Sequence, residues 1–342
     1  MNKAMSLKQA VEKYVHSGDH IVFGGFTTSR KPIAAISEIL RQGLTDFILE
    51  GGPSGSDADM MIGEKRLKAY INCYAANPRF SNISRRFRAA IEAGELLFED
   101  YSQDAAMMMF HGAALGYPYV PVRMMLGSDI EYQWGIDEAT RKTIDKLPDE
   151  KFIIQDNPYN PEEKLLLLPV PRLDVAIIHV QVASTDGTCR IIGDPFHDID
   201  VAFGSKYTIA TCEELVSDEE IRRYPEKNNI PGFVVDAVVH APFGAHPSQV
   251  YDYYDYDKAF YFDYEEASKT DESFSAFMKD WVHDLPDHRA YLDKLGATRL
   301  LDLKIVPGYG YHVNLTPDAS GTNATPDASP ANSAKDSSGE VE

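Results

Sequence analysis

The chain has 342 residues, of which 44% are hydrophobic and 25% are charged, the balance of an ordinary soluble globular protein. Its formal net charge of -20 argues against nucleic-acid binding, because contacts to phosphates need a basic face. We expect a cytoplasmic protein with reduced thiols, since there is no apolar run of about eighteen residues to cross a membrane, no signal-peptide core and no paired spacing among three cysteines.

The first predicted elements are a strand at residues 21–23, a turn with two glycines, and a helix over about residues 33–41. Glycine places no side chain over the turn, so backbone N–H groups can point at an anion. The pattern predicts either a site for a phosphate or an acyl-transfer oxyanion, or only a tight strand–helix turn. In the first case the site consists of Gly24, Gly25, Phe26 and Thr27.

Two adjacent cations, Arg30 and Lys31, follow this turn. Their position in a strongly acidic chain slightly favours the anion site over a merely tight turn. The G-x-G-x-x-G pattern of dinucleotide-binding proteins is absent, and so is a Walker A motif. The sequence therefore predicts an anion site here without identifying the anion.

A second glycine-rich loop, residues 51–57, follows a predicted strand at residues 47–49 and Glu50. Because the carboxyl ends of parallel strands meet at one edge of a sheet, we expect this loop beside the first. Glu50 is then either a carboxylate nucleophile or base facing the site, or a surface residue at a strand end. The second interpretation is favoured.

After a predicted strand at residues 68–73, a polar loop leads into a helix over residues 85–94. Its first turn holds Arg85, Arg86 and Arg88. Cations at a helix N-terminus oppose the helix dipole, so something must offset them. A bound carboxylate or phosphate would do so, and arginine matches a carboxylate well. Acidic side chains of a partner subunit would offset these charges equally well, so a subunit interface is the alternative interpretation.

Downstream, strand-like and helix-like segments alternate. A helix is predicted over residues 107–116, a surface excursion over 142–163, and strands over 165–169, 175–180, 207–212 and 234–241, the last being the longest. Repeated strand–helix–strand units form a parallel or mixed sheet covered by helices. We therefore predict an α/β fold with an open, mostly parallel sheet flanked by helices.

Three further segments are interpreted from composition. Residues 251–264 hold eight aromatic side chains among acids, which favours a subunit interface over a partly buried helix. The histidines lack metal-site spacing, and we expect no bound metal. The acidic run beside His197, with Asp198 and Asp200, is interpreted as a solvated loop. Residues 316–342 form a predicted disordered, acidic, low-complexity tail.

Several segments of this sequence resemble the alpha subunits of family I CoA-transferases, especially the glutaconate-type branch. They include the glycine turn itself and residues 13–20, 69–74, 84–88, 99–104, 244–249 and 295–300. The resemblance covers about residues 5 to 315, in order, and leaves only the tail outside. We therefore assign one CoA-transferase alpha-type domain to residues 1–315.

The resemblance implies a specific chemistry. Enzymes of this family use a glutamate carboxylate to attack an acyl-CoA and then hold CoA as a glutamyl thioester. CoA and acetyl-CoA are substrates, and no permanently bound cofactor is expected. The acceptor would be a dicarboxylate such as glutaconate or 2-hydroxyglutarate, as in glutamate fermentation. Its carboxylate would be held by Arg30, Ser84, Arg85 and Arg86.

One departure concerns the nucleophile. In this family it lies in the beta subunit, in a Ser-Glu-Asn-Gly motif or a shorter Glu-x-Gly form, and this chain has no Ser-Glu-Asn-Gly. The chain is therefore expected to act in a hetero-oligomer of A and B subunits. Glu50-Gly51-Gly52 has the shorter form, so Glu50 is either inert or a mark of changed chemistry. A second departure is Arg30, where the general alpha-subunit pattern has glycine.

Two other functions stay open from the sequence. One is a subunit of a repurposed family member, such as an acyl-CoA decarboxylase or hydrolase. The other is a non-catalytic protein that binds CoA or a sugar phosphate. A partner chain with Glu-x-Gly after its second strand would support transfer, whereas a partner without that glutamate would support the repurposed enzyme.

Overall fold

The computed structural model describes residues 2–307, 310 and 311. The strands are β1 (His20–Phe23), β2 (Phe47–Glu50), β3 (Leu67–Asn72), β4 (Leu97–Asp100), β5 (Tyr119–Val122), β6 (Ile153–Asn157), β7 (Asn160–Pro169), β8 (Leu173–Ser184), β9 (Cys189–Arg190), β10 (Ser205–Val216) and β11 (Ala237–His240).

The α-helices are α1 (Leu7–Tyr14), α2 (Ile33–Arg41), α3 (Ser56–Gly63), α4 (Arg85–Glu92), α5 (Gln103–Leu115), α6 (Asp129–Tyr132), α7 (Glu138–Arg141), α8 (Asp198–Gly204), α9 (Asp218–Arg222), α10 (Lys258–Ala267), α11 (Asp271–Met278), α12 (His288–Leu295) and α13 (Ala297–Leu303). A π-helical turn, Lys279–His283, continues α11.

The main sheet has the strand order β11-β10-β8-β1-β2-β3-β4, and all of these neighbours are parallel. The short strand β9 pairs antiparallel with β8. A separate antiparallel sheet has the order β5-β7-β6. The predicted α/β fold with a mostly parallel sheet is therefore confirmed.

Both faces of the main sheet are buried, and β1 shows how the sequence achieves this. Ile21 and Phe23 enter one apolar cluster, together with helices α1 to α4, α10 and α11. Val22 points to the opposite face, where it joins α5 and α8. Successive side chains of a strand alternate between faces, so a short, fully apolar strand fits a sheet covered on both sides.

The order of the strands reverses between β1 and β8. Strands β1 to β4 run outward on one side of that point, and β8, β10 and β11 run outward on the other. In open α/β sheets, ligands bind outside the carboxyl ends of the strands at such a reversal. The glycine turn after β1 lies at this place.

One prediction about local structure is wrong. Strand β11 has four residues, because Gly232–Val234 forms a 3-10 turn, and the longest strands are β8 and β10 with 12 residues each. The predicted surface excursion at 142–163 is mostly exposed, and it also contains β6 and the start of β7. Within 251–264, Phe260, Tyr261 and Tyr264 are buried in α10 of this chain, as a partly buried helix would have them. Tyr251 and Phe262 are exposed, and the subunit interface stays a prediction.

The predicted tail at residues 316–342 lies outside the described residues. Among those that are described, no helix is long and apolar enough to span a lipid bilayer.

Candidate active site

The glycine turn is tight because its backbone folds back on itself. The N–H of Phe26 donates to the carbonyl of Ser29 at 2.8 Å, and the N–H of Ser29 returns the bond at 2.8 Å. Gly25 has φ +75°, and a Cβ there would lie 2.4 Å from the Ser29 carbonyl oxygen. Only glycine fits at position 25, for both conformation and space.

The four N–H groups predicted to bind a ligand anion all donate within the chain. Gly24 donates to the Ile177 carbonyl at 2.9 Å and Thr27 to the Pro53 carbonyl at 2.9 Å, while Phe26 donates to Ser29. Gly25 donates to Oδ1 of Asp198 at 2.6 Å. The turn does hold an anion in this structure, and that anion is a carboxylate of the same chain.

Asp198 also receives the cation that follows the turn. Its Oδ2 lies 2.5 Å from NH1 of Arg30, and both side chains are buried. The Arg30 guanidinium further donates to the carbonyls of His179 at 3.0 Å and Asp194 at 2.9 Å. The prediction that residues 197–200 form a solvated loop is wrong for His197 and Asp198, which are buried at the start of α8.

The second cation, Lys31, pairs with the second glycine loop. Its Nζ lies 2.9 Å from Oδ2 of Asp57, and both side chains are fully buried. Oδ1 of Asp57 accepts the N–H of Gly55 at 2.6 Å. The two glycine loops are therefore adjacent, as expected from their strands, and this ion pair joins them.

Gly52 allows His197 to approach the second loop. A Cβ on Gly52 would lie 2.4 Å from Cε1 of His197. The imidazole ring is held in place, since it stacks on Phe110 at 5.2 Å and its Nε2 bonds the Phe23 carbonyl at 3.0 Å. Burial lowers the pKa of His197, which favours the neutral ring.

Glu50 faces away from the two glycine loops. It shares the face of β2 with Ile48, on the side of the sheet covered by the second sheet and α5. Its Oε2 lies 2.9 Å from Nε2 of His20, at the amino end of β1, and both side chains are buried. The favoured interpretation of Glu50 as a surface residue is therefore wrong.

The pair lines a cavity of about 320 Å³ on that side of the sheet. Tyr101 and Arg141 line the cavity with it, and Arg172 lies just before β8. The cavity therefore reaches the amino ends of β1 and β8, whereas the glycine turns lie at the carboxyl ends.

The arginines at the start of α4 differ in their surroundings. Arg86 is buried, and its guanidinium is held by the Asp271 carboxylate and the Ser268 carbonyl. Nε of Arg85 donates to Glu265 at 3.1 Å, yet the Arg85 side chain is 44% exposed. The hydroxyl of Ser84, at the N-cap, is buried without a hydrogen-bond partner. Of the four predicted carboxylate ligands, Arg85 is the one with an exposed guanidinium.

A cysteine also lies at this edge, directly after β3. Cys73 is partly buried, and its burial raises the thiol pKa to about 12. A thiol of that pKa stays protonated near neutral pH and is a poor nucleophile. The loop after β3 thus offers cations and hydrogen-bond donors rather than a reactive thiolate.

The arrangement fits a known family. The family model for coenzyme A transferases matches residues 4–241. This chain belongs to that family. It is 61% identical over 318 residues to the A subunit of glutaconate CoA-transferase of Acidaminococcus fermentans, covering 93% of this chain and 99% of the relative.

A solved structure and a more distant relative complete the comparison. The crystal structure of glutaconate coenzyme A-transferase from Acidaminococcus fermentans matches with a TM-score of 0.90 and 61% identity, covering 91% of this chain and 98% of that one. A protein of Rhodococcus jostii named "Cholesterol ring-cleaving hydrolase IpdA subunit" is 28% identical over 292 residues, covering 84% of this chain and 94% of the relative. The expected CoA-transferase resemblance is confirmed.

Sequence reasoning missed the two carboxylates that engage the glycine loops. Asp198 lies 168 residues from Arg30, so no local pattern connects them. One signal was present, because Val201 and Ala202 make α8 apolar on one side and a helix with such a face packs against a core. The apolar side of α8 could therefore have predicted that the aspartate at its start is buried.

Proposed function

We propose that this chain is the subunit without the nucleophile in a heteromeric CoA-transferase. The enzyme would move CoA between acetyl-CoA and a dicarboxylate such as glutaconate or 2-hydroxyglutarate. The observation that carries this proposal is the 61% identity to the matching chain of a glutaconate CoA-transferase over 93% of this chain. The relative named as a hydrolase subunit shares 28% identity, which favours transfer over hydrolysis.

The proposed reaction balances without metal or ATP. A glutamate carboxylate attacks the acetyl-CoA carbonyl and expels CoA thiolate, which leaves a mixed anhydride. The thiolate attacks the glutamyl carbonyl, so acetate leaves and a glutamyl-CoA thioester forms. The acceptor carboxylate then displaces the thiolate to form a second anhydride. Attack of the thiolate on its acyl carbonyl releases the new acyl-CoA and restores the glutamate.

The nucleophile is proposed to lie on a B subunit. Three carboxylates lie on or beside the two glycine loops of this chain, and each is already engaged. Asp57 and Asp198 form buried ion pairs with cations, and Glu50 is paired with His20 on a different side of the sheet. A carboxylate held in a buried ion pair is a poor attacking group, because attack would leave its cation unpaired.

This chain would form one rigid side of the shared site. The N–H groups of Gly24, Gly25, Phe26 and Thr27 are committed to internal bonds. The proposed mechanism therefore gives the turn a role in shaping the site, and oxyanion donors come from elsewhere in the complex. Among the predicted carboxylate ligands, Arg85 has the exposed guanidinium that an anionic group of a substrate can reach.

The test is to co-express this chain with its genomic neighbour and to supply acetyl-CoA with glutaconate. The proposal predicts glutaconyl-CoA and acetate in equal amounts, with neither chain active alone. 2-Hydroxyglutarate and monocarboxylates serve as alternative acceptors. Hydrolysis of acetyl-CoA without acyl exchange, or loss of carbon dioxide from an acyl-CoA, would contradict the proposal.

A further inference from the structure

A cleft rich in arginine follows β3, and the proposed function gives it no role beyond one exposed cation. We name this feature the arginine cleft. It has a volume of about 360 Å³ and lies at the start of α4. Its lining includes Arg79, Phe80, Ile83, Arg85 and Arg88. Three arginines around one cleft are unusual in a chain with a net charge of -20.

The three guanidinium groups are anchored by hydrogen bonds within the chain, and each still has N–H donors available. Nε of Arg88 donates to Glu92 at 2.8 Å and Nε of Arg85 donates to Glu265 at 3.1 Å, so one edge of each group is anchored. The terminal amino groups of both residues make no hydrogen bond within the described part of the chain. Arg79 is anchored through one amino group, by the Tyr256 hydroxyl. Several charge-bearing N–H donors therefore remain for a ligand.

The apolar part of the lining is also fixed. The ring of Phe80 stacks on Tyr261 at 4.5 Å, with an interplanar angle of 7°. Tyr256 and Phe262 meet its edge or face at 5.3 Å and 5.5 Å. A ring held by three aromatic neighbours offers a preformed surface beside the three cations. The cleft thus combines donors for an anion with an apolar contact for a flat ring.

We propose that the arginine cleft binds the phosphorylated nucleotide end of the CoA substrate. A single carboxylate needs one guanidinium, whereas three guanidinium groups suit a group with several phosphates. The aromatic lining suits the adenine ring. This inference rests on the proposed function, because it locates a part of the acyl-CoA that the proposed reaction uses.

The cleft is connected to the glycine loops by backbone hydrogen bonds. The N–H of Ser54 donates to the Tyr74 carbonyl at 3.0 Å, and the N–H of Ala76 returns to Ser54 at 3.0 Å. In addition, the side-chain Oδ1 of Asn77 accepts the N–H of Ser56 at 2.9 Å. Asn77 is two residues before Arg79. The segment that leads into the cleft therefore packs directly against the second glycine loop.

The test compares two acetyl donors in the A–B complex. Acetyl-CoA carries the nucleotide, and S-acetylpantetheine lacks it. We expect Arg88→Gln to raise the KM for acetyl-CoA about tenfold, the loss of one charge-assisted contact, with the S-acetylpantetheine KM unchanged. Arg88 is chosen because its partner Glu92 is also exposed, so the substitution leaves no buried charge unpaired. Arg123→Gln, which removes the ion pair of an exposed arginine with Glu163 at the end of β5, is the matched control.

Three results would overturn the inference. The first is an equal effect, or no effect, on the two donors. The second is a raised KM for glutaconate instead of acetyl-CoA, which would assign the cleft to the dicarboxylate. The third is loss of the A–B complex in Arg88→Gln, which would make the cleft a contact between the two chains.

A binding measurement separates this inference from the proposed function. Adenosine 3′,5′-bisphosphate should bind the parent complex in calorimetry and bind the Arg88→Gln complex about tenfold more weakly. If the parent binds this probe but transfers no CoA, the proposed reaction fails and the cleft stands. If the parent transfers CoA but both complexes bind the probe alike, the cleft assignment fails and the proposed reaction stands.

Discussion

Arg30 and Asp198 form a buried ion pair that joins the loop after the first strand to the start of α8. Their charged atoms are 2.5 Å apart, and the side chains are 1% and 0% exposed. The other oxygen of Asp198 accepts the Gly25 N–H. Gly24 must also lack a side chain, since a Cβ there would lie 2.8 Å from Asp198. The two glycines and the arginine of the turn thus fit one carboxylate.

Removing the charge of Asp198 should destabilise the protein strongly. Asp198→Asn leaves the Arg30 guanidinium buried and uncompensated, which costs about 3–5 kcal/mol in comparable pairs. Urea unfolding of the purified chain measures this cost. The control is Asp156→Asn, whose ion pair with Lys164 is exposed and should be worth less than about 1 kcal/mol. Equal effects of the two substitutions would contradict the finding.

Alanine at Gly52 should be tolerated only if His197 is removed. The new Cβ would meet the imidazole ring at 2.4 Å, and overpacking of this kind costs about 1–3 kcal/mol. In a His197→Ala background the same substitution should cost much less, because the ring is gone. A double-mutant cycle by urea unfolding gives the coupling energy. Additive effects would show that the two residues do not meet.

Asp59 should make the protein less stable as the pH rises from about 4 to about 7. Desolvation raises the pKa of its buried carboxyl from 3.8 to about 7, although Phe87 and Tyr264 donate to it. The unfolded chain ionises first and so binds fewer protons than the folded chain over this range. Below pH 4 the Asp59 carboxyl is protonated in both states, and its contribution to stability is fully present. As the pH rises to 7, the free energy of unfolding falls by about 4 kcal/mol because of this group.

The variant Asp59→Asn removes this titration. Between pH 4 and pH 7 the unfolding free energy of the parent should fall relative to that of the variant. Urea unfolding at several pH values measures it. A difference that is constant over this range would mean that Asp59 ionises normally in the folded chain.

Glu50 should be dispensable for CoA transfer. Glu50→Gln keeps an oxygen near Nε2 of His20 and removes the charge that a nucleophile needs. We expect kcat of the A–B complex to change by less than about threefold, since a group outside the reaction contributes nothing specific to the transition state. Asp156→Asn serves as the surface control. A fall of a thousandfold or more in kcat would identify Glu50 as the attacking carboxylate.

The sequence predicted the parts of this protein that depend on local patterns. The apolar strands, the glycine turn at Gly24 and Gly25, and the fold class follow from periodicity and turn chemistry. The partners of Arg30 and Lys31 could not be predicted, because their carboxylates come from distant segments brought together only by the fold. The side of the sheet faced by Glu50 depends on the register of β2.

In the proposed mechanism the attacking glutamate belongs to a partner chain. The most direct measurement is to incubate the A–B complex with acetyl-CoA, trap the glutamyl thioester with borohydride or hydroxylamine, and find the modified chain by mass spectrometry. We expect the modified glutamate on the B subunit, while the chain described here stays unmodified. A modified glutamate in this chain, at Glu50 or elsewhere, would contradict it.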